Sequence, residues 1–169
     1  MVASGRSWGP VLLGQRVRLE PIDPQLAGAM LAGVPGPDLA WAEGFPMAPV
    51  RGIAERIAAA SEVLGPFSAY VIVLQPDGMA IGDAGFHGPP SDAGELELGY
   101  ALAPGARGQG LASEAVSLLI DWAQHQPGVR VMTARVDHGN VASKRLLNRL
   151  GFAHTDEDNG MQRFTLPTP

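Results

Sequence analysis

Residues 97–115 read Glu-Leu-Gly-Tyr-Ala-Leu-Ala-Pro-Gly-Ala-Arg-Gly-Gln-Gly-Leu-Ala-Ser-Glu-Ala, and three different patterns follow one another within them. Its first part alternates larger apolar residues with small or charged ones, which predicts a β-strand. From Ala112 onward, apolar residues recur at helical spacing and predict an amphipathic helix. A glycine-rich turn joins the two, so backbone N–H groups without helical partners converge where the helix begins. The stretch therefore predicts a binding site for a phosphate group.

Glycine and proline signals divide the rest of the chain into further elements. The predicted strands cover residues 13–22, 67–74, 79–86, 95–102 and 129–136, with a terminal hairpin turning at Asn159-Gly160. The predicted helices lie near residues 26–32, 53–63, 112–123 and 140–150, with Asp23-Pro24 opening the first and Gly151 closing the last. Strands first, followed by strand–helix–strand–helix, predict a mixed α+β domain with helices on both faces of its sheet.

Size and composition indicate one globular domain over residues 1–169, with residues 1–12 as a flexible lead. The chain is 46% apolar and 17% charged, and no apolar run approaches the roughly 20 residues of a membrane span. The first residues lack the features of a secretory signal. Together with the absence of cysteine, this makes the cytoplasm the expected location, with no membrane association.

Charge and side-chain chemistry exclude further classes of function. The formal charge of −5 disfavours a nucleic-acid partner and mildly favours a cationic ligand, although solubility alone also explains it. The chain has neither thiolates nor histidines at helical metal-ligand spacing, so no metal is expected.

The glycine-rich turn differs from two common nucleotide-binding loops. It lacks the Gly-Lys-Ser/Thr of triphosphate-binding loops and the three-glycine dinucleotide fingerprint. It resembles instead the acetyl-CoA signature Arg/Gln-x-x-Gly-x-Gly/Ala of the GCN5-related N-acetyltransferase (GNAT) superfamily, which Arg107, Gly110 and Ala112 satisfy. The stretches Glu-Leu-Gly-Tyr, Ser-Glu-Ala and Leu-Gly-Phe, with Gly82–Pro90 and the pair Asn140 and Ser143, are similar to the branch typified by ribosomal-protein N-terminal acetyltransferases.

The resemblance implies a single GNAT-like domain. Its central twisted sheet of six to seven mostly antiparallel strands splays in the middle, and the pantetheine arm of acetyl-CoA lies in the gap. The residues implied in acetyl-CoA binding are Ala101, Leu102, Arg107, Gly108, Gln109, Gly110, Leu111, Ala112, Ser113, Asn140 and Ser143. A homodimer is a further expectation, because proteins with this fold often dimerise.

Two residues are the candidate catalytic groups for acetyl transfer to an amine. Glu97 is placed to accept the ammonium proton directly or through water, although a solvent-facing strand glutamate explains it equally well. The resemblance points to Ser143 as the proton donor to the CoA sulfur, although a place in the first turn of a helix capped by Asn140 accounts for both residues without catalysis. The candidates for the acceptor pocket are Trp41, Phe45, Phe86, His87 and Tyr100.

The resemblance implies an acetyl-CoA-dependent N-acetyltransferase whose acceptor amine attacks directly within a ternary complex. The acceptor is a protein N-terminus or a small-molecule amine, and the sequence leaves both open. An acyl-CoA-binding sensor or interaction domain without turnover is the alternative from a different class.

Overall fold

The computed structural model describes residues 8–60 and 64–169, which form nine strands and four α-helices. The strands are β1 (Leu12–Leu13), β2 (Val17–Pro21), β3 (Ala40–Trp41), β4 (Ala69–Leu74), β5 (Met79–Phe86), β6 (Glu95–Leu102), β7 (Val131–Asp137), β8 (Ala153–Asp158) and β9 (Met161–Pro167). The helices are α1 (Pro24–Ala32), α2 (Arg51–Ala58), α3 (Leu111–Ala123) and α4 (Val141–Arg149).

All nine strands belong to one open sheet, in the spatial order β1-β2-β4-β5-β6-β7-β9-β8, with β3 paired to β5. Among the described strands, the pairs β3–β5 and β6–β7 are parallel and the others are antiparallel. This confirms the predicted mixed α+β fold with a mostly antiparallel sheet. The strand count exceeds the predicted six to seven because β1 and β3, of two residues each, also pair with the sheet.

The parallel pair β6–β7 separates partway along its length. Its register runs from Glu95 opposite Val131 to Leu98 opposite Ala134 and then stops. Both strands continue, β6 to Leu102 and β7 to Asp137. The unpaired ends leave a gap in the middle of the sheet, as the resemblance implied.

The helices cover the two faces of the sheet with separate apolar cores. On one face, α1 and α2 pack through residues such as Met30 and Ile57 against Val71 of β4. On the other face, α3 and α4 contribute Leu119 and Leu147 to a larger core. This layered arrangement confirms the prediction of helices on both faces of the sheet.

The ends of several elements agree with the local sequence signals. The Asp23 carboxylate accepts a hydrogen bond of 2.8 Å from the Leu26 N–H and caps α1, with Pro24 at the first helical position. The φ angle of Gly151 is +93°, the left-handed conformation predicted at the end of α4. Asn159 and Gly160 have φ angles of 48° and 77° in the turn between β8 and β9. The residues next to these boundaries are therefore sufficient to predict where the elements begin and end.

Several boundaries differ from the sequence prediction. The strand predicted over residues 13–22 is divided into β1 and β2, and the one predicted over 129–136 covers 131–137. The predicted helix over residues 53–63 begins earlier, at Arg51, and ends at Ala58, while residues 61–63 lie outside the described part of the chain. In the predicted flexible lead, residues 1–7 also lie outside it, whereas Leu12 already pairs with Leu19 in the sheet. Among the described helices, none has the length and apolar character that crossing a bilayer requires.

Candidate active site

The turn between β6 and α3 presents backbone donors to an open space. Gly110, the residue before α3, has φ 78° and ψ 6°, and no side chain caps the helix. The first three N–H groups of α3 therefore have no acceptor within the helix. Gly108 also has a positive φ of 74°, and a Cβ built there meets nothing within 4 Å. The turn forms a cradle lined by main chain, which suits an anion such as a phosphate group.

This cradle opens into a cavity of about 920 Å³ between β6, α3 and α4, which we call the arginine cavity. Its walls carry three arginines and no carboxylate, although the chain as a whole has a formal charge of −5. The lining residues are Tyr100, Ala101, Leu102, Arg107, Gly108, Gly110, Leu111, Ala112, Ser113, Asn140, Ala142, Ser143, Arg145, Leu146, Asn148 and Arg149. The structure thus brings together every predicted acetyl-CoA-binding residue except Gln109.

Gln109 and Glu114 are both hydrogen-bonded to Arg16, and we call these contacts the Arg16 brace. The Arg16 guanidinium donates to the Gln109 carbonyl at 2.8 Å and to the Glu114 carboxylate at 3.0 Å. The same carboxylate accepts the Arg16 N–H at 2.7 Å and the Val17 N–H at 3.3 Å. Burial opposes ionisation of Glu114, but these hydrogen bonds outweigh it and lower its pKa. Glu114 therefore ties β2 and the first turn of α3 together on the outer side of the cradle.

Arg107, at the beginning of the turn, is fixed in a similar way. Its Nε donates to the Leu102 carbonyl at 3.0 Å, which holds the side chain against the end of β6. The guanidinium remains on the wall of the arginine cavity. A positive charge is therefore held beside the cradle rather than free to move on a flexible side chain.

The far wall of the arginine cavity combines residues of β6 and α4. The Asn140 side chain accepts the Ser143 N–H at 3.1 Å and so caps α4, as the sequence predicted. Burial raises the pKa of Tyr100, while the nearby Ser143 hydroxyl acts in the opposite direction. Tyr100, predicted as a wall of the acceptor pocket, therefore lies near Ser143 on the wall of the arginine cavity, and its hydroxyl oxygen is buried without a geometrically acceptable hydrogen bond among the described residues.

A second cavity of about 490 Å³, which we call the acidic cavity, lies beside the paired part of β6 and β7. Its walls include five carboxylate residues against two arginines and one histidine: Glu95, Glu97, Asp156, Glu157, Asp158, Arg135, Arg163 and His87. Glu97 lies here, with its carboxylate 3.3 Å from His87 Nδ1 and its side chain 34% exposed. The two predicted catalytic residues, Glu97 and Ser143, thus line different cavities.

Three other aromatic residues predicted for the acceptor pocket, Trp41, Phe45 and Phe86, do not lie together in the structure. Trp41 and Phe45 contact each other edge to face, with ring centroids 5.4 Å apart, on the side of the sheet covered by α1 and α2. Phe86 lies in the opposite core and packs on Phe67 and Trp122. It is only 2% exposed, and packing in the core accounts for its position.

Several residues of the site escaped the sequence reasoning. Arg145 and Arg149 line the arginine cavity, and their spacing of four residues on a polar helix face was the available signal. Arg16 lies 98 residues from its partner Glu114, so no local pattern indicates this contact. Asp83 of β5 was also missed, and its Oδ2 atom is buried without a hydrogen-bond partner in the described structure.

Comparison with known proteins identifies the family. Residues 16–153 match the acetyltransferase (GNAT) domain family, and the chain belongs to it. YjdG of Bacillus subtilis, named as an uncharacterized N-acetyltransferase, is 36% identical over 86 residues, which are 51% of this chain and 51% of that protein. The chain thus spans about half the length of the curated relatives it matches. The predicted membership of the GNAT superfamily is confirmed.

Solved structures agree with this assignment. A GNAT-family protein from Chromobacterium violaceum superposes with a TM-score of 0.68 at 23% identity, covering 99% of this chain and 93% of that one. It shows the same fold. The structure of yncA from Salmonella typhimurium, which includes its cofactor acetyl-CoA, has a TM-score of 0.50 at 27% identity, with coverage of 60% and 65%.

Proposed function

We propose that this protein is an acetyl-CoA-dependent N-acetyltransferase that transfers the acetyl group to a primary amine in a ternary complex. The observation that carries the proposal is the arginine cavity, where three arginines and the cradle of unpaired N–H groups face one space without a carboxylate. Coenzyme A carries a pyrophosphate and a further phosphate, so its charge matches this lining. Membership of the GNAT family and the acetyl-CoA bound in the Salmonella structure support the same donor.

Different residues around the arginine cavity would bind different parts of acetyl-CoA. The N–H groups of Leu111, Ala112 and Ser113 would hold the pyrophosphate, and Arg107, Arg145 and Arg149 would balance its charge. The separated end of β6, at Ala101 and Leu102, would pair with the pantetheine arm. When bound, acetyl-CoA supplies a thioester that an amine can attack.

The amine must lose a proton to attack, and the thiolate that departs must gain one. Glu97 is the predicted proton acceptor, and it stands at the wall of the acidic cavity, where an ammonium group is electrostatically favoured. Ser143, beside Tyr100, is the predicted donor to the sulfur atom. The excess of carboxylates in the acidic cavity is consistent with either acceptor class, a peptide N-terminus or a small amine. The similarity to ribosomal-protein N-terminal acetyltransferases favours the peptide.

The test measures CoA thiol release from acetyl-CoA with N-terminal peptides, polyamines, aminoglycosides and amino acids as acceptors. The variant Ala112→Glu places a carboxylate at the cradle and should weaken acetyl-CoA binding and turnover at least about 100-fold. Its matched control, Ala58→Glu, adds the same side chain at an exposed position of α2 and should leave both unchanged. Binding of acetyl-CoA by the parent protein without thiol release from any acceptor would contradict the proposal and favour a non-catalytic binder. Equal loss in both variants would contradict the placement of the site.

A further inference from the structure

Asp83 occupies a central position in the sheet beside the end of β6. The register pairs it with Val71 of β4 on one side and with Ala101 of β6 on the other. Directly paired residues point to the same face of a sheet, so Asp83 lies on the face that α1 and α2 cover. Ala101 also lines the arginine cavity. A carboxylate therefore stands next to the strand segment that is proposed to hold the pantetheine arm.

The chemistry of Asp83 is unusual for a sheet residue. Its Oδ2 atom is buried and has no hydrogen-bond partner in the described structure, while the residue as a whole keeps part of its surface open. A buried carboxylate oxygen without a partner is costly and rare in folded proteins. The indole N–H of Trp41, on the same side of the sheet, is also buried without a partner. Each such group in a folded protein requires an explanation, and a catalytic role or a bound water or ion is among those known.

One face of β6 leads from the acidic cavity to Asp83. Alternate residues of the strand share this face, so Glu97, Gly99 and Ala101 follow one another along it. Gly99 has no side chain. The His87 ring lies over this glycine, since its Nε2 atom is 3.0 Å from the place that a Cβ of residue 99 would occupy. Beyond this ring no large side chain of β6 stands between the acidic cavity and Asp83. Ala101, the partner of Asp83, lies four residues beyond Glu97 on this face, about 13 Å along the strand.

We infer that Asp83 binds the ammonium group of the acceptor and takes its proton, as the base of the proposed acetyl transfer. The proton passes from the ammonium nitrogen to the carboxylate and from there to solvent. The freed nitrogen lone pair forms the bond to the thioester carbonyl carbon, and the nitrogen then releases its second proton to solvent as the carbon–sulfur bond breaks. The CoA thiolate takes a proton from a donor such as Ser143, whose hydroxyl regains one from solvent. The inference rests on the proposed function and assigns the base to Asp83 instead of the predicted Glu97.

The surroundings of Asp83 explain how it can accept a proton near neutral pH. Burial alone raises the pKa of Asp83 to about 7. Helix α1 contributes no ionisable side chain, and β3 and β4 contribute none to this face. On the other packed elements, β6 contributes Glu95 and Glu97 to this face, His87 follows β5 at the acidic cavity, and α2 carries the exposed Arg51, Glu55 and Arg56. A base of this kind is effective once it is deprotonated, so kcat/KM should rise through about pH 7.

The kinetic test compares Asp83→Asn with Glu97→Gln and with Asp77→Asn, an exposed control in the turn of the same hairpin. With the best acceptor of the panel, Asp83→Asn should lower kcat at least about 100-fold, leave the acetyl-CoA KM within twofold, and remove the rise near pH 7. Asp77→Asn should leave all three unchanged, and Glu97→Gln should keep the rise. Activity of Asp83→Asn within threefold of the parent protein, or joint loss of activity and acetyl-CoA binding, would overturn the inference.

A second measurement tests the ammonium site without turnover. Carboxyl ¹³C NMR of the protein–CoA complex, assigned by the signal missing in Asp83→Asn, follows the titration of this residue with and without methylammonium chloride. Methylammonium should lower the pKa of Asp83, whereas tetramethylammonium at the same ionic strength should not. An equal response to both cations would overturn the inference. Absence of thiol release in the parent protein, with a selective methylammonium response, would refute the proposed function and leave the ammonium site standing.

Discussion

The burial of Asp83 predicts a contribution to stability that is lost as the pH rises, and Asp83→Asn should remove this contribution. Its carboxyl group ionises at an ordinary pKa of 3.8 when unfolded and at about 7 in the folded state. Between these values the folded state holds a proton that the unfolded state has released, so the free energy of unfolding falls with increasing pH. Asparagine has nearly the same shape and does not titrate, so the variant lacks this contribution.

The magnitude follows from the two pKa values of Asp83. Each pKa unit corresponds to about 1.36 kcal/mol, so the rise from 3.8 to about 7 amounts to about 4 kcal/mol between the fully protonated and the fully ionised carboxyl. Because part of the residue remains in contact with water, this figure is an upper value. Domains are typically stable by about 5–15 kcal/mol, so the effect is large enough to measure.

The assay is urea unfolding of the parent protein and of Asp83→Asn at several pH values between about 4 and 8. The difference in free energy of unfolding between the two proteins should shift by several kcal/mol over this range, in favour of the variant at high pH. Other titrating groups are common to both proteins and cancel. The exposed control Asp77→Asn should follow the parent protein. Parallel pH profiles for the parent and Asp83→Asn would show that the carboxyl group of Asp83 titrates alike in the folded and unfolded states.

Three further predictions concern the cradle and the capped helix. Glu114→Gln should lower the free energy of unfolding by about 1–2 kcal/mol and weaken acetyl-CoA binding, because it weakens the hydrogen bonds from Arg16 to an ionised carboxylate. Urea unfolding measures the stability and calorimetry the binding. The exposed control Glu55→Gln should change neither. Gly110→Ala should reduce acetyl-CoA affinity and lower the free energy of unfolding by about 1–2 kcal/mol. The φ angle there is 78°, and a Cβ would come within 3.2 Å of the Arg16 guanidinium. Unchanged affinity in a binding titration would contradict this prediction. Asn140→Ala should cost about 1 kcal/mol in urea unfolding by removing the cap of α4, and Asn140→Asp should restore most of it; no loss on removal of the cap would contradict this.

Features that depend on residues close together in the sequence can be predicted without the tertiary structure. The glycine-rich turn and the start of α3 lie within a few residues of each other, as do Asn140 and the first turn of α4. The turn at Asn159-Gly160 is equally local. Backbone conformation, capping and side-chain periodicity act over this range, so the glycine-rich cradle and most of the residues that line the arginine cavity could be named from the sequence.

Features set by strand register needed the tertiary structure. The separation of β6 from β7 after Leu98 depends on how two distant strands pair. The burial of Asp83 depends on its place between β4 and β6, and the brace from Arg16 to Glu114 joins segments 98 residues apart. A sequence records which side chains are present, but their electrostatic environment depends on what lies beside them in space. For this reason the family and the glycine-rich cradle can be recognised from local patterns of residues, whereas the separation of an arginine cavity from an acidic one, and the burial of Asp83 Oδ2 without a hydrogen-bond partner among the described residues, depend on contacts between distant segments.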